Sequence, residues 1–252
     1  YWRDWSSDVC SSDLGLLRED RRGAALPVVF LHPKTWNGRT TVWLTGSGKS
    51  GLFAGDGSLK PSVRALVDGG TTVLGVDLLH QGEFLKDGQP MVQTPKVKNP
   101  REAWAYTFGY NPSVFVQRVH DALCVLRFVR DHEKRSSRID LVAVEGAGPV
   151  GAAARAMAGS VVSRAALQLD GFRFGALLDL RHPDFTPGGA MYGDIPGLIA
   201  LGAPGATLLL GEKAVPTLSA TAFGPEASAR LRVSVATADA ATREAAAFVG
   251  GN

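Results

Sequence analysis

Three readings compete for two glycine-rich turns in this 252-residue chain, and each implies different chemistry. Gly46, Ser47, Gly48, Lys49 and Ser50 follow Thr45 directly after an apolar run, which invites a phosphate-cradling P-loop. That loop needs a further glycine at the position held by Trp43. It also needs a helix starting at the Lys, where Gly51, Gly55, Gly57 and Pro61 intervene. The same turn can instead present backbone N–H groups to a developing oxyanion, which makes Gly46, Ser47 and Gly48 candidate ligand contacts. Gly146, Gly148 and Gly151 match the dinucleotide fingerprint between strand and helix, with Asp170 ending the next strand. Against it, a fingerprint opens its own nucleotide unit, and only two strand-like runs remain after Leu169. Read as a nucleophile elbow, residues 143–148 put Glu145 at the vertex, or Gly146 if shifted by one. Neither carries a hydroxyl or thiol, and a carboxylate forms acyl intermediates only in special chemistry.

The elements that must hold these turns follow from apolar patterning. Strands are predicted at 26–31, 40–44, 72–77, 139–144, 165–169, 207–210 and 231–235, with 15–19 pairing onto 26–31 across the polar turn 20–23. Helices are predicted at 61–68, 114–133, 152–158 and 240–249. In the second, Val119, Ala122, Leu123, Leu126 and Val129 recur at three- and four-residue spacing. Alternating strands and helices argue for an α/β class with a mostly parallel central sheet covered on both faces. Residues 80–112, rich in Gly, Pro and polar groups, read as a lid or binding loop, and 170–204 as irregular.

The first fourteen residues stand apart. Asp4 to Leu14 resemble the in-frame translation of a common sequencing-library adapter, so 1–14 is expected to be a non-native, disordered scar. Residues 15–252 are then the domain, a fragment of a longer protein whose true N-terminus is missing. Setting the scar aside removes Cys10, leaving Cys124 without a disulfide or Cys-based metal partner. It also removes one Arg and three Asp, so the net charge moves from +3 to +5. That charge is spread without a Lys/Arg block, so nucleic acid is not indicated. No apolar run approaches the ~18 residues of a membrane span, so a soluble protein is expected. The hydrophobic share of 45% is enough for one large core.

Taken together, residues 15–252 resemble an α/β-hydrolase of the acetyl xylan esterase and dienelactone hydrolase group. The resemblance is carried by residues 33–39, 76–83, 106–111 and the elbow. It implies the α/β-hydrolase fold and a Ser-acid-His triad in that chain order. It makes Glu212 the candidate acid and Asp170 the fallback, and places the His after the last strand, near 237–240. No histidine follows His182, so two of three triad positions are empty. Without an imidazole, no general base takes a hydroxyl proton. The resemblance therefore implies a catalytically impaired, ligand-binding or scaffolding domain of a larger esterase, with an ester or carbohydrate ligand and a companion hydrolase domain as partners. No cofactor or metal is expected. The alternatives are an active hydrolase with rearranged residues and a dinucleotide-binding oxidoreductase.

Other polar residues have plainer readings. His182 is the histidine to test as a displaced base. His80 and Glu83 lie just past a strand end, where open α/β sheets bind ligands. His120 and Asp121 are adjacent on a helix and so point apart. Trp104, Tyr106, Phe108 and Tyr110 could stack on a sugar ring or anchor a lid.

Overall fold

Interior strands of a sheet covered on both faces need apolar residues at consecutive positions, and this chain supplies them. The computed structural model describes residues 3–6, 10–19 and 23–251. Its strands are β1 (Arg3–Ser6), β2 (Cys10–Glu19), β3 (Ala24–Pro33), β4 (Arg39–Leu44), β5 (Thr72–Val76), β6 (Arg138–Ala143), β7 (Arg164–Gln168), β8 (Ala206–Leu210) and β9 (Leu231–Ser234). They form one sheet in the order β1-β2-β3-β5-β4-β6-β7-β8-β9. Pairing is antiparallel from β1 to β5 and parallel from there to β9.

The helices are α1 (Pro61–Asp68), α2 (Ala105–Phe108), α3 (Val114–Asp131), α4 (Gly148–Ala158), α5 (Asp194–Leu201), α6 (Thr217–Phe223), α7 (Ala227–Arg230) and α8 (Ala238–Gly250). Alternate strand residues feed two cores. Val42, Leu44, Leu141 and Ala143 pack with α3, α4 and α5, whereas Trp43, Val73, Val142 and Val144 pack with α1 and α8. The chain thus leaves β4 over one face through α1 and returns to β6 over the other through α3. Connections that part this way open a crevice at the carboxyl ends of β4 and β6.

The opposite end of the sheet is tied down by charge. Arg39, Arg138 and Arg164 stand at the starts of β4, β6 and β7 and reach the last carbonyls of α8. Arg164 Nη1 donates to Phe248 O at 2.9 Å, Arg39 Nη1 to Gly250 O at 3.4 Å, and Arg138 Nη2 to Val249 O. Cations there offset the negative end of the helix dipole.

Three expectations need correction. Residues 1–14 were predicted to lack structure, yet Arg3–Ser6 and Cys10–Leu14 are strand. The outer edge of β3 runs on to Pro33, and a ladder needs only backbone groups. A stretch without apolar alternation can therefore pair, Cys10 against Pro33 and Leu14 against Val29. Residues 1, 2, 7–9, 20–22 and 252 lie outside the described residues, including most of the predicted turn. The stretch 170–204 contains α5, hidden by Pro196 and Gly197 inside it. The helix predicted at 152–158 begins at Gly148, because Pro149 suits a first turn that lacks N–H partners.

Candidate functional site

The strand-to-helix turn after β6 bends so sharply that two successive residues take positive φ, +52° at Glu145 and +90° at Gly146. A non-glycine residue in that region costs of order 1–3 kcal/mol and persists only where its surroundings enforce it. Here they do. Glu145 N–H donates to Gln168 Oε1 at 2.9 Å, its carbonyl accepts Gly46 N–H at 2.9 Å, and Oε1 pairs with Lys60 Nζ at 2.6 Å. A Cβ built on Gly146 meets nothing within 4 Å. The small residues an elbow needs are also present: a Cβ on Gly148 would lie 1.8 Å from Gln168 O, and one on Gly151 2.3 Å from Ala143 Cβ. This is elbow geometry with an ion pair where an attacking oxygen would stand.

Across the crevice, the turn after β4 is closed on itself. Gly48 N–H donates to Thr45 O, Ser47 O accepts Ser50 Oγ, and the Gly46 N–H is taken by the elbow carbonyl. Lys49 turns inward. Its Nζ lies 2.5 Å from both Asp77 Oδ2 and Glu83 Oε1, and its N–H donates to Asp77 Oδ1 at 2.8 Å. Asp77, 0% exposed after β5, also accepts Glu83 N–H at 3.0 Å. A phosphate loop would leave that ammonium aimed at a ligand, but here two carboxylates hold it.

The candidate acids follow the neighbouring strands. Asp170 adopts φ +48° after β7, and its Oδ2 accepts Gln168 Nε2 at 2.8 Å, so Gln168 links Asp170 to Glu145. Glu212, after β8, is buried and gripped by Arg173 through both oxygens, at 2.8 and 3.0 Å. In a working triad, that carboxylate would orient an imidazole.

His182 does not join them. Its Nδ1 accepts Asp184 N–H at 3.1 Å, and among the described residues its ion-pair partner is Asp184, at 4.0 Å, rather than Glu145, Asp170 or Glu212. It belongs to a second layer, in which residues 80–112 interlock with 170–190. Thr94 N–H donates to Arg181 O at 2.7 Å, Arg181 Nε to Thr94 O, and Phe108 packs on Phe185. Trp104 stacks on Phe108, whereas Tyr110 is 83% exposed. His80, with φ +59°, lines a cavity of about 260 Å³ beneath this layer, away from Glu83. Asp121 accepts Leu79 N–H while His120 faces Cys124, so the two part as expected.

Burial pushes the Asp184 carboxyl above its ordinary 3.8, against the lowering pull of Arg118 and His182. A carboxyl that holds its proton more tightly when folded adds stability below the unfolded value and loses it as pH rises through the raised one. Asp184→Asn, which mimics the protonated form, is expected to raise Tm at about pH 7, with the gain closing below about pH 4. Melting curves across that range decide it: a loss of Tm at neutral pH would refute the desolvation argument.

Sheet order, crossovers and mid-sheet elbow together define the α/β-hydrolase fold. The same order removes the topological basis for a dinucleotide fingerprint, because β6 follows five earlier strands rather than opening a unit. Solved structures agree. An acetyl xylan esterase assignment from Bacteroides fragilis NCTC 9343 superposes with a TM-score of 0.62 at 13% identity, covering 92% of this chain and 68% of its own. A promiscuous CE15 esterase from a marine bacterial metagenome gives 0.63 at 11%, covering 98% and 82%. A dipeptidyl aminopeptidase IV assignment from Bacteroides ovatus ATCC 8483 gives 0.59 at 11%. This chain spans 96% of itself there and about a third, 35%, of that protein. No protein-family model and no curated protein matches the chain. Among the described residues, no helix is long and apolar enough to cross a membrane.

Lys60, Gln168 and Arg173 were missed from sequence. Gln168 gave a signal, as the one amide ending an apolar strand. Lys60 and Arg173 gave none, since each finds its carboxylate 85 and 39 residues away.

Proposed function

We propose that this domain is an esterase-like hydrolase domain that binds an ester or acetylated carbohydrate at the crevice and does not turn it over. In this reading a companion hydrolase domain supplies the chemistry. One observation carries it: the elbow vertex holds Glu145 against Lys60, and the position after it is Gly146. The acid position supports the same reading, because Arg173 occupies both oxygens of Glu212 where an imidazole would need one. Ester hydrolysis through a triad needs a nucleophile, a base and an orienting acid. The nucleophile and the base have no residue here, and the acid is engaged elsewhere.

The test is p-nitrophenyl acetate hydrolysis by the purified chain, beside acetylated xylo-oligosaccharide binding by calorimetry. The expected result is a rate no greater than that of heat-denatured protein, with saturable oligosaccharide binding that weakens in Lys60→Ala. Turnover abolished by His182→Ala or Glu145→Gln would establish the active-hydrolase alternative instead.

A further inference from the structure

At the end of the sheet opposite the crevice lies a cavity of about 530 Å³, within the range that holds small organic ligands. β4 and β5 start there at Thr40 and Thr72, while β3 and α3 end there. Its inner wall is aromatic. The Phe30 and His32 rings stack with centroids 5.7 Å apart and planes 3° from parallel. Phe128 meets Phe30 at 6.0 Å, and His132 meets Phe128 edge-on at 5.3 Å. Trp36, 39% exposed, stands at the mouth. Two exposed lysines, Lys34 and Lys134, are among the residues that line it. Against them stand one carboxylate, Asp13, paired with His32 at 3.3 Å, and the half-charge at the C-terminus of α3.

The geometry points to a second binding site, separate from the crevice, for a flat aromatic ring bearing a carboxylate. A ring of that kind lies against the Phe30, His32 and Phe128 surfaces, and its anion reaches the two lysines. Burial, with Lys134 and His132 nearby, holds His32 below its ordinary pKa against the pull of Asp13. The histidine therefore serves as a neutral ring face, and the lysines carry the charge recognition. Ser11 and Asp13 close one side, and both lie on the segment that resembles an adapter translation. The cavity's volume includes that side, whereas the ligand contacts lie on the walls from Phe30 onward, and Asp13 opposes the ligand. This inference does not depend on the crevice reading.

Benzoate is the probe, with benzyl alcohol and benzylamine as its neutral and cationic counterparts, titrated into the full chain and followed by calorimetry and tryptophan fluorescence. Benzoate is expected to saturate and to bind more tightly than either counterpart. Lys134→Glu, a change at an exposed position, is expected to weaken it about tenfold while leaving benzyl alcohol unmoved. Asp13→Ala is expected to leave benzoate binding equal or tighter. Benzoate binding no tighter than benzylamine, indifference to Lys134→Glu, or loss in Asp13→Ala would each overturn the assignment.

Discussion

A single methyl added at position 148 is expected to cost about 4 kcal/mol, above the ~1–3 kcal/mol typical of overpacking, because the clash is with backbone. The first residue of α4 lies so close to β7 that an added Cβ would stand 1.8 Å from the Gln168 carbonyl oxygen and 2.6 Å from its carbon. Both are backbone atoms in a central strand, so no rotamer change relieves the clash. The helix must lift from the sheet, and Gln168 then loses its hold on the Glu145 N–H. Gly146→Ala is the contrasting control: its Cβ meets open space, and only the φ of +90° penalises it, by about 1–2 kcal/mol. Denaturant titrations of the two variants should differ by about 2–3 kcal/mol. Equal stabilities would mean that the elbow is not packed as described.

Removing the Asp77 carboxylate should be nearly as damaging. Asp77→Ala strands two backbone donors, the Lys49 N–H and the Glu83 N–H, and leaves the Lys49 ammonium with Glu83 alone. Breaking a buried ion pair from one side costs about 3–5 kcal/mol, which in a domain of this size lowers Tm by on the order of 10 °C. Asp77→Asn keeps the shape and loses the charge, leaving Lys49 to the mostly exposed Glu83, at about half that cost. The crevice should suffer first, because Asp77 holds the turns after both β4 and β5. Thermal melts read the magnitude, and acetylated oligosaccharide binding reads the geometry. A Tm within 2 °C of the parent for Asp77→Ala would refute the network's role.

Much of the sheet was legible because it is written locally. The short, β-branched runs 72–76 and 139–143, the second broken only by Asp140, read as strands buried on both faces, and the helical spacing from Val119 to Val129 needs no tertiary context. The elbow was legible for a similar reason, since glycines 146, 148 and 151 record how closely backbone approaches backbone. α5 was not legible, because its Pro and Gly conceal a helix stabilised from outside: Asp194 Oδ1 accepts its own helix's Ile195 N–H together with Phe174 N–H from another segment. The ion pairs that fill the crevice were invisible for a different reason. Sequence shows which charges exist, but Lys60 meeting Glu145 depends on two strand crossovers bringing the turns together.

The arginine clasp on α8 decides how this domain can be handled. Because the last helical turn is pinned beneath the starts of β4, β6 and β7, anything fused after it departs from the underside of the sheet. A reporter or immobilisation handle placed there leaves the crevice facing solution. It also pulls directly on guanidinium contacts, so a short, stiff junction would loosen the helix where a flexible spacer would not.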